Sequence, residues 1–592
     1  MPRTTTTTTT TTTISKMAMS NEDWEEIAQT IPAKDDPFIQ KYMSGREALI
    51  AEEKKQRADY SFRQGLSPIA RKACRIVDRI REEEQRTLWT SEYEDSLAVS
   101  ENCTMHSGMM FTLAKARMER TKLWKIVRRM PKGSILHAHL DAIVDMDFVF
   151  ETLLDEPGMH VNAVDVPHLA TPENRAEGVV SFRYFREPRN PDMSIWDAGS
   201  YRTGEYVPLR RAAETFPDGG RKGWVRWIKT RTTISETDAV EQHHGVDHVW
   251  RKFTKCFNIM GTVIHYEPIF RKFLRRLMRQ YYDDGVYWGE IRFTWPLNYY
   301  RLGQEVPESN YSHMFTVIDE EIKAFQASPE GKGFWGLRMI WTSLRKWDQK
   351  AIVQQMDHAI TTKLEFPHLL AGYDLVGQED LGRPLADALP ELFWFRKQLA
   401  DEGMPDGMPF FFHAGETLGD GTETDNNLFD AVLLGTRRIG HGFSLYKHPL
   451  LVDLVKQKRI LIESCPISNE VLRLCGSIMS HPLPALLARG VPCALSNDDP
   501  AMLGQDTAGM THDFWQALQG WENLGLAGLG SLAENSIRWS CFEDQSAEEW
   551  ARDVKEASLG GGVKARRLKE WEVLWEKFCL WVCEEFGEEY SE

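Results

Sequence analysis

Eight short apolar runs, each closing on polar and chemically capable residues and each followed by a helical stretch, recur along this chain. They occupy residues 134–139, 286–292, 334–340, 370–375, 409–413, 438–441, 460–464 and 492–496. Strands that alternate with helices pair in parallel, and eight of them close on themselves, so the expected fold is α/β, a (β/α)8 TIM barrel. In such a barrel the chemistry sits at the carboxyl ends of the strands, which is where the polar residues of these runs fall.

Around this rhythm the chain divides further. Residues 1–20 hold a run of ten threonines and little that could form a core, and are expected to be a disordered tail. Residues 21–129 mix apolar and charged positions at three-to-four spacing, which predicts a helical N-terminal arm. The barrel is expected over 130–545. A large insertion after its first strand, about 151–245, carries Pro157, Pro167, Pro172, Pro188 and Pro191 and is too long for an ordinary βα loop. The stretch 546–592, with Trp550, Trp571, Trp575 and Trp581, predicts C-terminal helices packing on the barrel.

Composition removes several classes of function. A formal charge of −16 has the wrong sign for a protein that neutralises phosphates, so no nucleic-acid partner is expected. No apolar run reaches the roughly 18 residues of a membrane-spanning helix, and no apolar core of a secretory signal follows Met1, which predicts a cytoplasmic protein with no membrane partner. Nine scattered cysteines without a Cys-x-x-Cys pair argue against a disulfide framework or a thiolate zinc site. The sequons at Asn102 and Asn310 are then chance occurrences.

His137 and His139 stand two apart, and in a strand that spacing points both imidazoles to one face, as two metal ligands require. A lone His-x-His is a weak signal, since surface and hydrogen-bonded pairs are common. Here His413, His441 and the pair Asp498-Asp499 close three further runs. Three imidazoles and one carboxylate suit zinc with an open position for water. Glu416 follows His413 by three residues, near enough for a turn to bring it beside the metal, although an acidic residue in a helix's first turn is also favoured by the dipole. Gly440 and Gly442 flank His441 and permit tight turns there.

These residues sit in motifs that resemble the adenosine deaminase growth factor family, the adenosine deaminase 2 type of the metal-dependent hydrolases. The match runs through Met130-Pro131-Lys132-Gly133 to His137-Ala138-His139, Tyr282-Asp283-Asp284-Gly285-Val286 to Glu290-Ile291-Arg292, and Gly372-Tyr373-Asp374-Leu375-Val376-Gly377-Gln378-Glu379-Asp380. It continues in order with His413-Ala414-Gly415-Glu416, Gly440-His441-Gly442, Glu463-Ser464-Cys465-Pro466 with Ser468-Asn469, and Ser496-Asn497-Asp498-Asp499-Pro500.

The resemblance implies hydrolytic deamination of adenosine, and of 2′-deoxyadenosine, to inosine and ammonia. It implies one zinc per subunit, held by His137, His139, His413 and Asp498. Glu416 is implied as the acid that protonates the purine ring, His441 as the group that orients the attacking water, and Asp499 as a partner of both water and purine. Gly377 is implied to meet a ring nitrogen through its backbone N–H, and Asp141 to meet a ribose hydroxyl. The family's arm implies a homodimer formed through it. Secreted members carry a disulfide in the insertion, whereas 151–245 here contain no cysteine.

The cytidine type of zinc deaminase uses His-x-Glu with Pro-Cys-x-x-Cys; His265-Tyr266-Glu267 begins that pattern, but Pro492-Cys493 lacks its second thiol. An AMP deaminase would need a phosphate pocket, for which Arg183, Arg186, Arg221 and Lys222 are candidates. A growth-factor-like binding protein with a silent barrel would have no use for an intact ligand set and Glu416.

Overall fold

The computed structural model describes residues 19–90, 111–235, 238, 245–295 and 298–590; the threonine run, Cys103 and the Asn102 sequon lie outside them. The chain falls into two units, Met1–Gln56 and Arg57–Glu592. In the first, the helices Asn21–Ala28 and Pro37–Lys55 start where their sequences specify. Ser20 and Asp23 form a reciprocal capping box, and Asp36 caps a helix whose first residue is proline. Neither helix has a buried residue, and Trp24, Phe38, Tyr42 and Leu49 are exposed.

Among its described residues the second unit contains eleven strands: β1 Gly133–Ile135, β2 Met159–Ala163, β3 Val180–Tyr184, β4 Val207–Pro208, β5 Val286–Thr294, β6 Gly336–Leu344, β7 Leu370–Val376, β8 His413–Ala414, β9 Arg438–His441, β10 Leu461–Ser464 and β11 Cys493–Leu495. Eight of them are the eight apolar runs. They form two parallel four-stranded sheets, β1-β5-β6-β7 and β8-β9-β10-β11. Two seams join these sheets into a closed barrel. At one, Tyr373 pairs with Phe410, with Phe411 N–H donating to Tyr373 O over 3.1 Å. At the other, Ala138 pairs with Asp498. The run 409–413 makes regular ladder only at its end, since Pro409 has no N–H to offer and Phe410 pairs as an isolated bridge.

Burial follows from closure. Parallel strands covered on both faces should be apolar throughout, and every residue of β7 is buried. The lumen is packed by Leu136, Ile340, Ala371, Phe411, Leu461 and Ala494, with Cys541 and Trp550 beneath them. The main core lies outside the strands, between sheet and helices. Charges also enter the lumen: Arg292, Glu290, Arg438 and Glu463 are fully buried, and Arg438 lies 3.8 Å from the centre of the Phe411 ring.

Between β1 and β5 the chain builds an antiparallel sheet, β3-β2-β4, and the helices Gly220–Arg231 and Val246–Met260. This segment is fastened beside the catalytic end of the barrel. Phe182 N–H donates to Thr262 Oγ1 over 3.1 Å, Tyr184 stacks on Tyr266 at 4.5 Å, and Ile234 N–H reaches Met502 O over 2.8 Å. At the other end of the chain the helix Gly562–Phe586 buries Trp571, Trp575 and Phe578. Trp571 stacks on Trp575 at 5.7 Å, and its indole N–H donates to Pro131 O over 3.0 Å, two residues before β1. Among the described residues no helix is long and apolar enough to cross a membrane.

Trp571 thus couples the C-terminal helix to the entry of the first barrel strand. Trp571→Ala is expected to cost about 3–5 kcal/mol through lost burial and an unfilled cavity, read as a lower midpoint of chemical denaturation. An unchanged midpoint would show that this helix adds nothing to the stability of the barrel.

Candidate active site

Closure of the barrel assembles the site. Asp498, just past β11, donates its N–H to His137 O over 3.1 Å and accepts from His139 N–H over 3.1 Å. Its backbone is left-handed, φ 58°, and so is that of His441 at the end of β9, φ 60°. Non-glycine residues seldom adopt this conformation, which costs of order 1–3 kcal/mol and recurs at functional sites.

Nε2 of His137 and Nε2 of His139 each lie 3.3 Å from Asp498 Oδ1. Ligand atoms of His137, His139, His413 and Asp498 all fall within 4.8 Å of one another. Two of the imidazoles are oriented from behind. His137 Nδ1 lies 2.9 Å from Glu463 Oε2 and His413 Nδ1 lies 2.6 Å from Asp374 Oδ2, so each ring places its hydrogen on Nδ1 and turns the Nε2 lone pair inward. His137 Nε2 is buried and forms no hydrogen bond. A buried lone pair without a donor, beside two further imidazoles and a carboxylate, fits a divalent cation and is costly without one. A second grouping, His137, His441, Cys465 and Asp498, is equally close in space. It is the poorer site, because burial and the nearby carboxylates push the Cys465 thiol well above its usual range and away from the thiolate form.

The carboxylates beneath the ligands are joined by one guanidinium. Arg292 donates from Nε to Asp374 Oδ2 over 2.8 Å and from Nη2 to Glu463 Oε2 over 2.7 Å, and its remaining contacts are the carbonyls of Leu136 (2.8 Å) and Phe411 (3.0 Å). Arg438 pairs with Glu463 on the other side and with Glu290 at 2.8 Å. Burial alone would protonate Asp374 and Glu463. The His413 imidazole with Arg292 for the first, and Arg292 with Arg438 for the second, outweigh it and hold both carboxyls far below the usual range.

Among the described residues no cation is hydrogen-bonded to the carboxyls on the cavity side, and the pull of Arg345 on Glu416 is outweighed. Glu416 is pushed well above its ordinary range by burial first and then by Asp498 and Glu379. Asp499 is raised by burial and by Asp498, and burial lifts Asp141 to about 7. Glu379 shapes the turn after His413, accepting from Gly415 N–H (3.1 Å), Glu416 N–H (2.6 Å) and the Asn427 amide (2.7 Å). Glu416 Oε1 then lies 3.6 Å from His441 Nε2.

These groups open on a cavity of about 540 Å³, within the range of small-molecule sites. His139, Asp141, Gly377, His413, Glu416, His441, Asp498 and Asp499 line it, and His137 lies buried beneath. Gly377 has φ 101°, which turns the chain where a side chain is rarely tolerated. The helix Val246–Met260 contributes Trp250, Phe253 and Phe257 as an aromatic wall that motif reading missed. Also missed were the roles of Arg292, Asp374, Glu379 and Glu463, although a charge inside an apolar strand run is itself a signal that a buried partner exists.

The cationic residues considered for a phosphate lie elsewhere. Arg183 and Arg186 donate to the carbonyls of Glu305 and Gly303, Arg221 pairs with Glu151 and Asp155, and none of these nor Lys222 lines the cavity. Two cations do line it. Arg345 is bound to the His413 carbonyl, and Lys346 is exposed.

A family model described as adenosine deaminase matches residues 230–557 of this chain. The chain is 34% identical over 438 residues to adenosine deaminase 2 of Homo sapiens, covering 73% of this chain and 79% of that protein. It is 32% identical over 447 residues to adenosine deaminase 2-A of Danio rerio, covering 75% and 82%. It is also 32% identical over 466 residues to an adenosine deaminase of Phlebotomus duboscqi, covering 78% and 79%.

Gly440 gives a direct test of the metal geometry. A Cβ there would stand 2.7 Å from His137 Cε1 and 3.0 Å from its Nδ1, inside contact distance of a ring that cannot retreat. Gly440→Ala is expected to weaken divalent-metal binding roughly 10–100-fold, measured by competition with a chelating dye, while far-ultraviolet circular dichroism stays unchanged.

Proposed function

The chain belongs to the adenosine deaminase family, and on that footing we propose that it hydrolyses adenosine and 2′-deoxyadenosine to the corresponding inosines with release of ammonia. The observation that carries the reading is Glu416, a buried carboxyl pushed well above its ordinary range, on the wall of the same cavity as three imidazoles and Asp498. A zinc ion held by His137, His139, His413 and Asp498 would supply, when bound, the acidification of a water that makes hydroxide accessible near neutral pH.

The chain's own residues do the rest. Glu416 donates its proton to the ring nitrogen next to the carbon that bears the amino group, which makes that carbon electrophilic and spares the ring a full negative charge. His441 faces the same point and stabilises charge developing on the attacking oxygen. Asp499 hydrogen-bonds that oxygen and a purine nitrogen, Gly377 N–H meets another ring nitrogen, and Asp141 meets a ribose hydroxyl. Trp250, Phe253 and Phe257 exclude water from one side of the base.

A nucleoside fits better than a nucleotide, because Arg183, Arg186 and Arg221 are engaged away from the cavity, and of the two cations that line it Arg345 is bound to the His413 carbonyl and Lys346 is exposed. A homodimer through the N-terminal arm is proposed on the family resemblance and on the exposed Trp24, Phe38, Tyr42 and Leu49 of the first unit. A reducing, cytosolic setting is proposed on the eight described cysteines, all free thiols.

Glu416→Gln separates an enzyme from a silent barrel. It should lower kcat on adenosine by roughly 10²–10⁴-fold with one zinc still bound, as measured by ammonia release and metal analysis. Activity that survived this change would remove Glu416 from the role of acid. In the same assay AMP should be turned over far less well than adenosine, and chelation should abolish turnover until zinc is restored.

A further inference from the structure

His441 is held from behind by hydrogen bonds whose direction is fixed at the far end. Leu483 N–H lies 3.1 Å from His481 Nδ1. A backbone amide can only donate, so His481 Nδ1 carries a lone pair. The His481 ring is buried, 5.5 Å from Phe443 and 5.7 Å from Trp521, and burial pushes its pKa down to about 3, so it is neutral with its hydrogen on Nε2. That N–H donates to Asn469 Oδ1 over 2.9 Å, which turns the amide nitrogen of Asn469 towards His441 Nδ1 at 3.2 Å. An amide N–H donates, so His441 Nδ1 accepts and its hydrogen sits on Nε2. His441 Nε2 is buried without a hydrogen-bond partner, facing Glu416 Oε1 at 3.6 Å and Asp498 Oδ2 at 3.8 Å.

We propose that Asn469 and His481 are positioning residues which fix His441 as a hydrogen-bond donor towards the reaction centre. His441 then stabilises the attacking oxygen and cannot take its proton through Nε2. The kinetic consequence rests on the deaminase reading; the direction of the relay does not. Asn469 stands in the motif Ser468-Asn469, and His481 in a segment to which sequence reading attached no chemistry.

Asn469→Asp is the discriminating variant, because it keeps the shape of the amide but only accepts. His441 must then move its hydrogen to Nδ1 or carry two, and the last link of the relay, from residue 469 to His441, reverses while His481 still donates. Turnover of adenosine is expected to fall about 10–100-fold in kcat, as for other lost partners behind a catalytic imidazole, with KM, zinc content and melting temperature near those of the parent. His481→Gln, which offers an amide N–H near the position of Nε2, should retain most of kcat, and His481→Leu should lose it as Asn469→Asp does. ¹⁵N-histidine NMR of the zinc-loaded protein, with His441 identified by its loss in His441→Gln, should show protonation at Nε2 in the parent and at Nδ1, or at both nitrogens, in Asn469→Asp. A parental kcat in Asn469→Asp, or a parent His441 protonated at Nδ1, overturns the proposal. A protein that turned over no adenosine would still report its tautomer, so the relay and the deaminase reading fail separately.

Discussion

Imidazoles from the first strand can share a metal with a carboxylate that follows the last strand only if the sheet closes on itself. In this protein closure and assembly of the site are one event: the two backbone hydrogen bonds that join 137–139 to Asp498 are also what bring His137, His139 and Asp498 together. The left-handed backbone of Asp498 turns its carboxylate inward from that seam, and the similar turn at His441 aims a fourth imidazole at the same point. Residues carried on strand ends inherit the rigidity of the barrel, which is how a catalytic geometry is held to within a fraction of an ångström.

Below this layer the barrel contains charges where most of its lumen is apolar. Buried ions are costly unless each finds partners, and breaking such a network strands the survivors. Arg292 answers that constraint by spending its hydrogens on Asp374, Glu463 and two carbonyls. The consequence for chemistry is a division among the carboxyls of the site. Asp374 and Glu463, beside guanidinium groups, stay ionised and can accept from the imidazoles above them. Glu416, Asp499 and Asp141 face a cavity where, among the described residues, the lining cations are Arg345 and the exposed Lys346, and they are pushed towards the acid form. One fold thereby keeps ionised orienting carboxylates and carboxyls pushed towards the acid form a few ångströms apart, distinguished by environment.

All eight barrel strands were legible as apolar runs because a parallel strand covered on both faces has to be apolar along its length, and no other element here imposes that pattern eight times. The polar ends of those runs fall into two overlapping clusters, His137, His139, His413 and Asp498 in one and His137, His441 and Asp498 in the other, and Asp141, Gly377, Glu416 and Asp499 share their cavity. The aromatic wall was not legible. Trp250, Phe253 and Phe257 follow the spacing of any amphipathic helix, and period alone does not say whether such a stripe faces a core or a ligand. The boundary after Gln56 was not legible either, since the helices on both sides of it share one compositional pattern.

The sequence by itself determined the closed parallel barrel, the end of it that carries chemistry and the residue types available there, because these follow from local periodicity and from the order of motifs along the chain. Only the tertiary structure decided which charges pair beneath the imidazoles, which carboxyls are pushed towards the acid form, and in which direction the hydrogen bonds run from Leu483 through His481 and Asn469 to His441. Those properties depend on burial and on partners far apart in sequence, and neither exists until the chain has folded.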